Sequence, residues 1–272
     1  MSWAERLADF VPGFLAGHPV IGPLADRGDV VLHGSTTRGV DDASSDIDLW
    51  WLLDDLEAVD ELSDTRFFDL GSSLGKPGHL NAESIDAFRQ GVDRIDLELI
   101  FELRTSVVIR GERAPLLIER ARTPMPDDVR RAAVFYHYVE MRSFHRSCDT
   151  PMDRGETMPV LLALAPTLAH AFRTALVLQG LPYPYGKWLW TETRSTPVGS
   201  RIEPHVNAIM ASLTPDVLTI ASEDNPITRD LRAIRAILVE EARATGIDEP
   251  WLDRWWLSMT DSRTALDRAR WP

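Results

Sequence analysis

The sequence predicts an α+β fold built in two parts, a sheet-containing first part and an all-helical second part, and three observations carry that prediction. Two apolar runs, Val30–Leu32 and Leu49–Leu53, flank a stretch of small and polar residues, as two strands about a tight connection would. Arg94-Ile95-Asp96-Leu97-Glu98-Leu99-Ile100 alternates polar and apolar residues and reads as a later strand that sends Ile95, Leu97 and Leu99 into the core. Beyond Leu103 the apolar spacing turns helical. The change should fall between Gly111 and Pro126, giving domains at 1–115 and 116–272.

Element by element, Ser2 and Glu5 have the form of a capping box, and a first helix should end near Pro12-Gly13. His18 to Gly28 reads as turn. Asp54 to Asp64 reads as a short helix or irregular surface segment, and Arg66 to Leu70 as an edge strand. Gly71 to Gly78 is expected as a loop, with Lys76 in water, and Ala82 to Gln90 as a helix over the sheet. Helices are then predicted at Glu112–Arg122, Asp127–Phe144, Pro159–Gln179, Ile202–Leu213, Thr228–Ala244 and Trp251–Asp267. Acids open the second of these and Gly180 stops the third.

The chain has 272 residues, a formal charge of −13 and one cysteine, Cys148. Such acidity works against tight binding to a nucleic-acid backbone and suits a cationic small molecule. A single cysteine excludes an internal disulfide framework, and the start lacks a signal-type apolar region, so a cytoplasmic protein is expected. Val160 to Leu178 is strongly apolar but contains Pro166, His170 and Arg173, which reads as a buried helix rather than a membrane span.

The stretch from His33 to Leu49 concentrates the chemistry. Asp46 and Asp48 lie two apart on the second strand, on one face, where two carboxylates repel unless a cation lies between them. Gly34 allows close backbone approach, and Ser35 and Thr36 offer donors at a helix start. Gly34-Ser35, ten residues, then Asp46-Ile47-Asp48 resembles the signature of the nucleotidyltransferase superfamily related to DNA polymerase beta, which includes antibiotic nucleotidyltransferases. The resemblance implies a small mixed sheet with flanking helices, a helical bundle behind it, and a third acid on a later strand. Asp96 fills that place, with Glu98 beside it.

The implied chemistry is magnesium-dependent transfer of a nucleoside monophosphate, AMP above all, from a triphosphate such as ATP to a hydroxyl of an aminoglycoside-like acceptor, releasing pyrophosphate. Asp46, Asp48 and Asp96 would hold two magnesium ions. Gly34, Ser35 and Thr36 would take the phosphates with Arg38 as charge partner, and Glu98 would be the general base. The alternatives are transfer to a protein or tRNA and a regulator that binds nucleotide without catalysis. No membrane partner is expected, and the protein should be a monomer or homodimer.

In the helical half, Gly180-Leu181-Pro182-Tyr183-Pro184-Tyr185-Gly186-Lys187-Trp188-Leu189 resembles a segment of bacterial nucleotidyltransferases that carry a DUF4037-type helical domain. Lys187 could hold a phosphate there, with the loop walling an acceptor cleft. The competing reading has the aromatics filling a seam and Lys187 in water. His137, His145 and His170 are expected as core or surface histidines, Glu140 as a residue able to reach a polar group, and Trp251, Trp255 and Trp256 as an apolar helix face.

Overall fold

The computed structural model describes residues 2–71 and 74–272. The chain divides into two compact units, one running to Thr123 and including Pro272, the other Pro124–Trp271.

In the first unit, α1 (Trp3–Gly17) opens on the reciprocal cap expected, with Glu5 N donating to Ser2 Oγ at 3.3 Å and Ser2 N to Glu5 Oε2 at 2.7 Å. It does not stop at Pro12. Leu7, Val11 and Leu15 form one buried face through that position, which outweighs the single helix hydrogen bond a proline removes. Then follow β1 (Asp29–His33), α2 (Ser35–Arg38), β2 (Ile47–Leu53), α3 (Glu57–Asp60), β3 (Phe67–Asp69), β4 (Gly78–Ser84), α4 (Ile85–Asp93), α5 (Leu97–Thr105), β5 (Val107–Arg110) and α6 (Ala114–Arg122). The strands form one mixed sheet in the order β3-β4-β2-β1-β5, with β2 and β4 parallel and the other pairs antiparallel. The fold is therefore α+β, and α6 packs on α5 and β1 within this unit.

Two readings of the sequence change here. His79-Leu80-Asn81-Ala82-Glu83, which runs from the end of the expected loop into the helix expected from Ala82, is strand β4, with Leu80 and Ala82 buried and the polar residues on the other face. The run 94–100 is not a strand. Helix α4 ends in a Schellman motif: Ile95 N donates to Val92 O at 3.1 Å and Asp96 N to Gly91 O at 2.9 Å. Ile95 takes the left-handed place (φ 60), where glycine usually stands, so no glycine marks the stop. Asp96 then caps α5, whose buried Leu97, Ile100 and Leu103 follow a helical period that the shorter polar–apolar alternation disguised.

The second unit is helical: α7 (Asp127–Asp153), α8 (Thr157–Leu178), α9 (Gly186–Arg194), α10 (Pro197–Ala211), α11 (Pro215–Leu218), α12 (Pro226–Ala244) and α13 (Met259–Arg263). Helix α8 is long and apolar enough to cross a membrane, and within this unit it packs on α7, α9 and α12. The expected helix 251–267 breaks into 3-10 turns around α13. Tyr138 Oη donates to Leu252 O at 2.7 Å and Trp251 stacks on Phe135 at 4.9 Å, so side-chain packing replaces a continuous helix there.

Several histidines are buried and neutral. His137 Nε2 lies 2.8 Å from Tyr183 Oη and its Nδ1 3.0 Å from His170 Nδ1, the donor in each contact being set by the ring tautomers. Burial holds His137 well below its usual range, and pushes His145 and His170 down to about 4 and His33 to about 3. In the unfolded chain each titrates near about 6.5, so as pH falls the unfolded state takes up protons that the folded state refuses. Stability should therefore be full above that value and decline as pH falls, down to about pH 4 for His145 and His170 and about pH 3 for His33, by about 1.4 kcal/mol per pH unit for each proton involved. Urea unfolding at stepped pH checks this, and His145→Gln should flatten the slope by one proton's worth.

Candidate active site

Strands β1 and β2 pair in unbroken register from Asp29↔Leu52 to His33↔Asp48, and β4 continues the row with His79 opposite Asp48 and Asn81 opposite Trp50. Neighbours in register point to the same face. The β2 face that carries Asp48 thus has His33 on one side and His79 on the other, with Asp46 at the strand's entrance. His79 Nε2 lies 3.6 Å from Asp46 Oδ2. His33 stacks on Trp50 with ring centroids 3.7 Å apart, and its Nδ1 is 4.0 Å from Glu102 Oε2.

Gly34 follows β1 with φ 82, a conformation that side-chain-bearing residues avoid. A Cβ there would come within 2.8 Å of Asp48 Oδ2. The backbone at Gly34 therefore lies directly against the carboxylate, and Ser35, buried, begins α2 beside it. Thr36 Oγ1 donates to His33 O at 3.3 Å and Thr37 Oγ1 to Gly34 O at 2.9 Å, which folds the turn back on itself. Arg38 reaches Gly34 O from Nε at 3.4 Å, with its guanidinium 5.5 Å from the Phe101 ring. The following loop is held by Lys76, whose Nζ lies 2.7 Å from Asp41 Oδ2 and 2.7 Å from Asp42 O. The hydrogen bond from Lys76 keeps Asp41 below the usual carboxylate range. Lys76 is a structural tether rather than a solvated side chain.

The structure sets the Gly34 backbone and Ser35 beside Asp48, with Asp46 two residues earlier facing His79, and it treats Asp96 and Glu98 differently from the sequence reading. Asp96 is the N-cap of α5, its Oδ1 accepting from Glu98 N and Leu99 N at 3.1 Å each, and Glu98 lies in the first turn. The strand that would have set these two acids side by side is not formed. Among the described residues no group of three or more histidine, cysteine, aspartate or glutamate side chains is spaced to hold a metal ion. Asp46, Asp48 and Asp96 do not make a three-acid set. Lys187, in the helical unit, is exposed in the first turn of α9 with Nζ 5.3 Å from the Trp188 ring. Tyr183 is buried against His137, while Tyr185 is exposed. The residues that sequence reasoning missed are His33, His79 and Asn81. The signal for the latter two was the period-two run 79–83, and for His33 its place one residue before Gly34.

No protein-family model matches the sequence, and no curated protein matches it. In fold the chain is similar to the crystal structure of a nucleotidyltransferase-like protein from Exiguobacterium sibiricum 255-15. The two share 11% identity over 97% of this chain and 89% of that chain, with a TM-score of 0.51. The likeness is one of fold.

The cap role of Asp96 has a direct test. Asp96→Ala should cost about 1 kcal/mol of folding stability, whereas Asp96→Asn, which keeps an acceptor oxygen, should cost much less. Denaturant unfolding of both variants measures the difference, and equal losses would remove the cap as the explanation.

Proposed function

We propose that the chain is a nucleotidyltransferase that moves a nucleoside monophosphate, most simply AMP, from a triphosphate to a hydroxyl of a small polyhydroxylated acceptor. The observation that carries this reading is Asp48 on β2 with the Gly34 backbone packed against it, and Asp46 just ahead of the strand. It is supported by the likeness in fold to a nucleotidyltransferase-like protein.

Magnesium is commonly held by one or two carboxylates together with substrate phosphates and water. Asp46 and Asp48 fit one such ion; among the described residues no third acid completes a donor set for a second, and Asp96 caps α5 through Oδ1. Bound with the triphosphate, magnesium would neutralise phosphate charge and polarise the phosphoryl oxygens. The chain supplies the rest. The Gly34 backbone, without a side chain, lets a phosphate approach, and the Ser35 hydroxyl and N–H are donors toward it. Arg38 adds positive charge at the turn. His33, kept neutral by burial, stacks against Trp50 and lines the strand beside Asp48 without adding charge. The formal charge of −13 favours a cationic acceptor, such as an aminoglycoside-like molecule, over a nucleic acid.

Asp46→Asn and Asp48→Asn should each lower transfer by at least about 10²-fold, the scale of losing one charge-stabilising group, with the fold retained. The assay is label from α-labelled ATP onto a panel of aminoglycosides, proteins and tRNA, with magnesium present. Near-normal transfer by either variant would refute the assignment. Label on protein or tRNA instead would reassign the acceptor.

A further inference from the structure

The helical unit contains a cavity of about 450 Å³ lined by side chains of α7, α12 and the turn Pro250–Leu252. Its wall carries three guanidinium groups, Arg142, Arg235 and Arg243, against two carboxylates, Glu240 and Asp253. Both acids are already engaged. Arg201 reaches Glu240 at 2.7 Å from outside the cavity lining, and Arg243 reaches Asp253 at 3.3 Å. The cations without a carboxylate are Arg142 and Arg235. Among the described residues neither side chain makes an ion pair or hydrogen bond, and Arg142 Nε is buried without a hydrogen-bond partner there. Trp255 covers Arg142 at 5.7 Å.

Spacing explains why the charges converge. Tyr138 and Arg142 are one turn apart on α7, and Arg235, Val239 and Arg243 are successive turns of α12, so each helix turns a single face to the cavity. Arg232 adds further positive charge nearby, while Arg146 is paired with Asp149 at 2.6 Å; after burial itself, the charges of Arg142, Arg235, Arg232 and Arg146 help hold His145 near 4. A concentration of positive charge in a chain of formal charge −13 is opposite to the molecule's average field. Guanidinium groups drawn partly out of water with no carboxylate in contact are costly unless an anion completes them.

We infer that this cavity is a binding site for a small organic phosphate, its phosphate taken by Arg142 and Arg235 and its apolar part by Val239 and Leu252. Guanidinium pairs bind phosphate oxygens by charge-assisted hydrogen bonds. The volume leaves room for more than an inorganic ion. This assignment does not depend on transfer activity at Asp46 and Asp48.

The test is calorimetric titration of the full chain with inorganic pyrophosphate and with AMP, without divalent metal. Saturable binding is expected, weakened at least about tenfold by Arg235→Gln and by Arg142→Gln and left unchanged by Asp48→Asn. AMP should bind at least as well as pyrophosphate. Arg235 is part-exposed and unpaired, so Arg235→Gln should fold as the parent does, and its thermal midpoint reports this. Absence of saturable binding, unchanged affinity in a folded Arg235→Gln, or loss of binding in Asp48→Asn would overturn the assignment. Binding that persists while the Asp46 and Asp48 variants lose transfer would leave both readings intact, and transfer without cavity binding would refute only this one.

Discussion

The contact between the Gly34 backbone and the Asp48 carboxylate is the constraint on which the first unit's site depends. Full register between β1 and β2 carries His33 to a place opposite Asp48, so the next residue must leave the sheet directly beside a carboxylate. Only a residue without a side chain fits, and only in a left-handed conformation. Everything between β1 and β2 follows. The chain turns immediately into the short α2, its threonine hydroxyls fold back on the preceding carbonyls, and Lys76 reaches across from the approach to β4 to fix the descending loop. The sheet's central strand is thereby held at both flanks of its acidic entrance.

Charge is segregated along the chain. In the sheet unit, carboxylates gather at the start of β2 while the neighbouring histidine, His33, is kept uncharged by burial, so the acidic character there is undiluted. In the helical unit, arginines gather around Tyr138 and His145, and the acids lining the same cavity are paired with Arg201 and Arg243. A net charge read from composition describes neither place, since each local field is set by which groups are already paired.

The strands on either side of Gly34 and most helices of the second unit were legible because their signals are local: a period of two, a period of 3.6, caps and stops. What was not legible has physical causes. Ile95 performs a glycine's task at the end of α4, so the stop left no trace, and Asp96 looked like a strand residue when it is a cap. Strand β4 was missed because its parallel partner β2 lies far from it in sequence and the pairing outweighs local preference. Pro12 and Pro151 sit inside helices, where burial of the surrounding face decides the outcome. The division of the units after α6 rests on that helix packing against α5 and β1, a contact no periodicity reports.

Cys148, on α7, is wholly buried, its Sγ 3.6 Å from Phe144 O, and burial pushes its thiol up to about 12. As the sole cysteine of the chain it is almost never a thiolate at neutral pH. The native surface is accordingly silent to maleimides and to disulfide exchange. A cysteine engineered at any exposed position would be the only reactive sulfur, so fluorophores or spin labels could be attached site by site to the wild-type background, and the exposure of Cys148 itself would serve as a clock for unfolding of the helical unit.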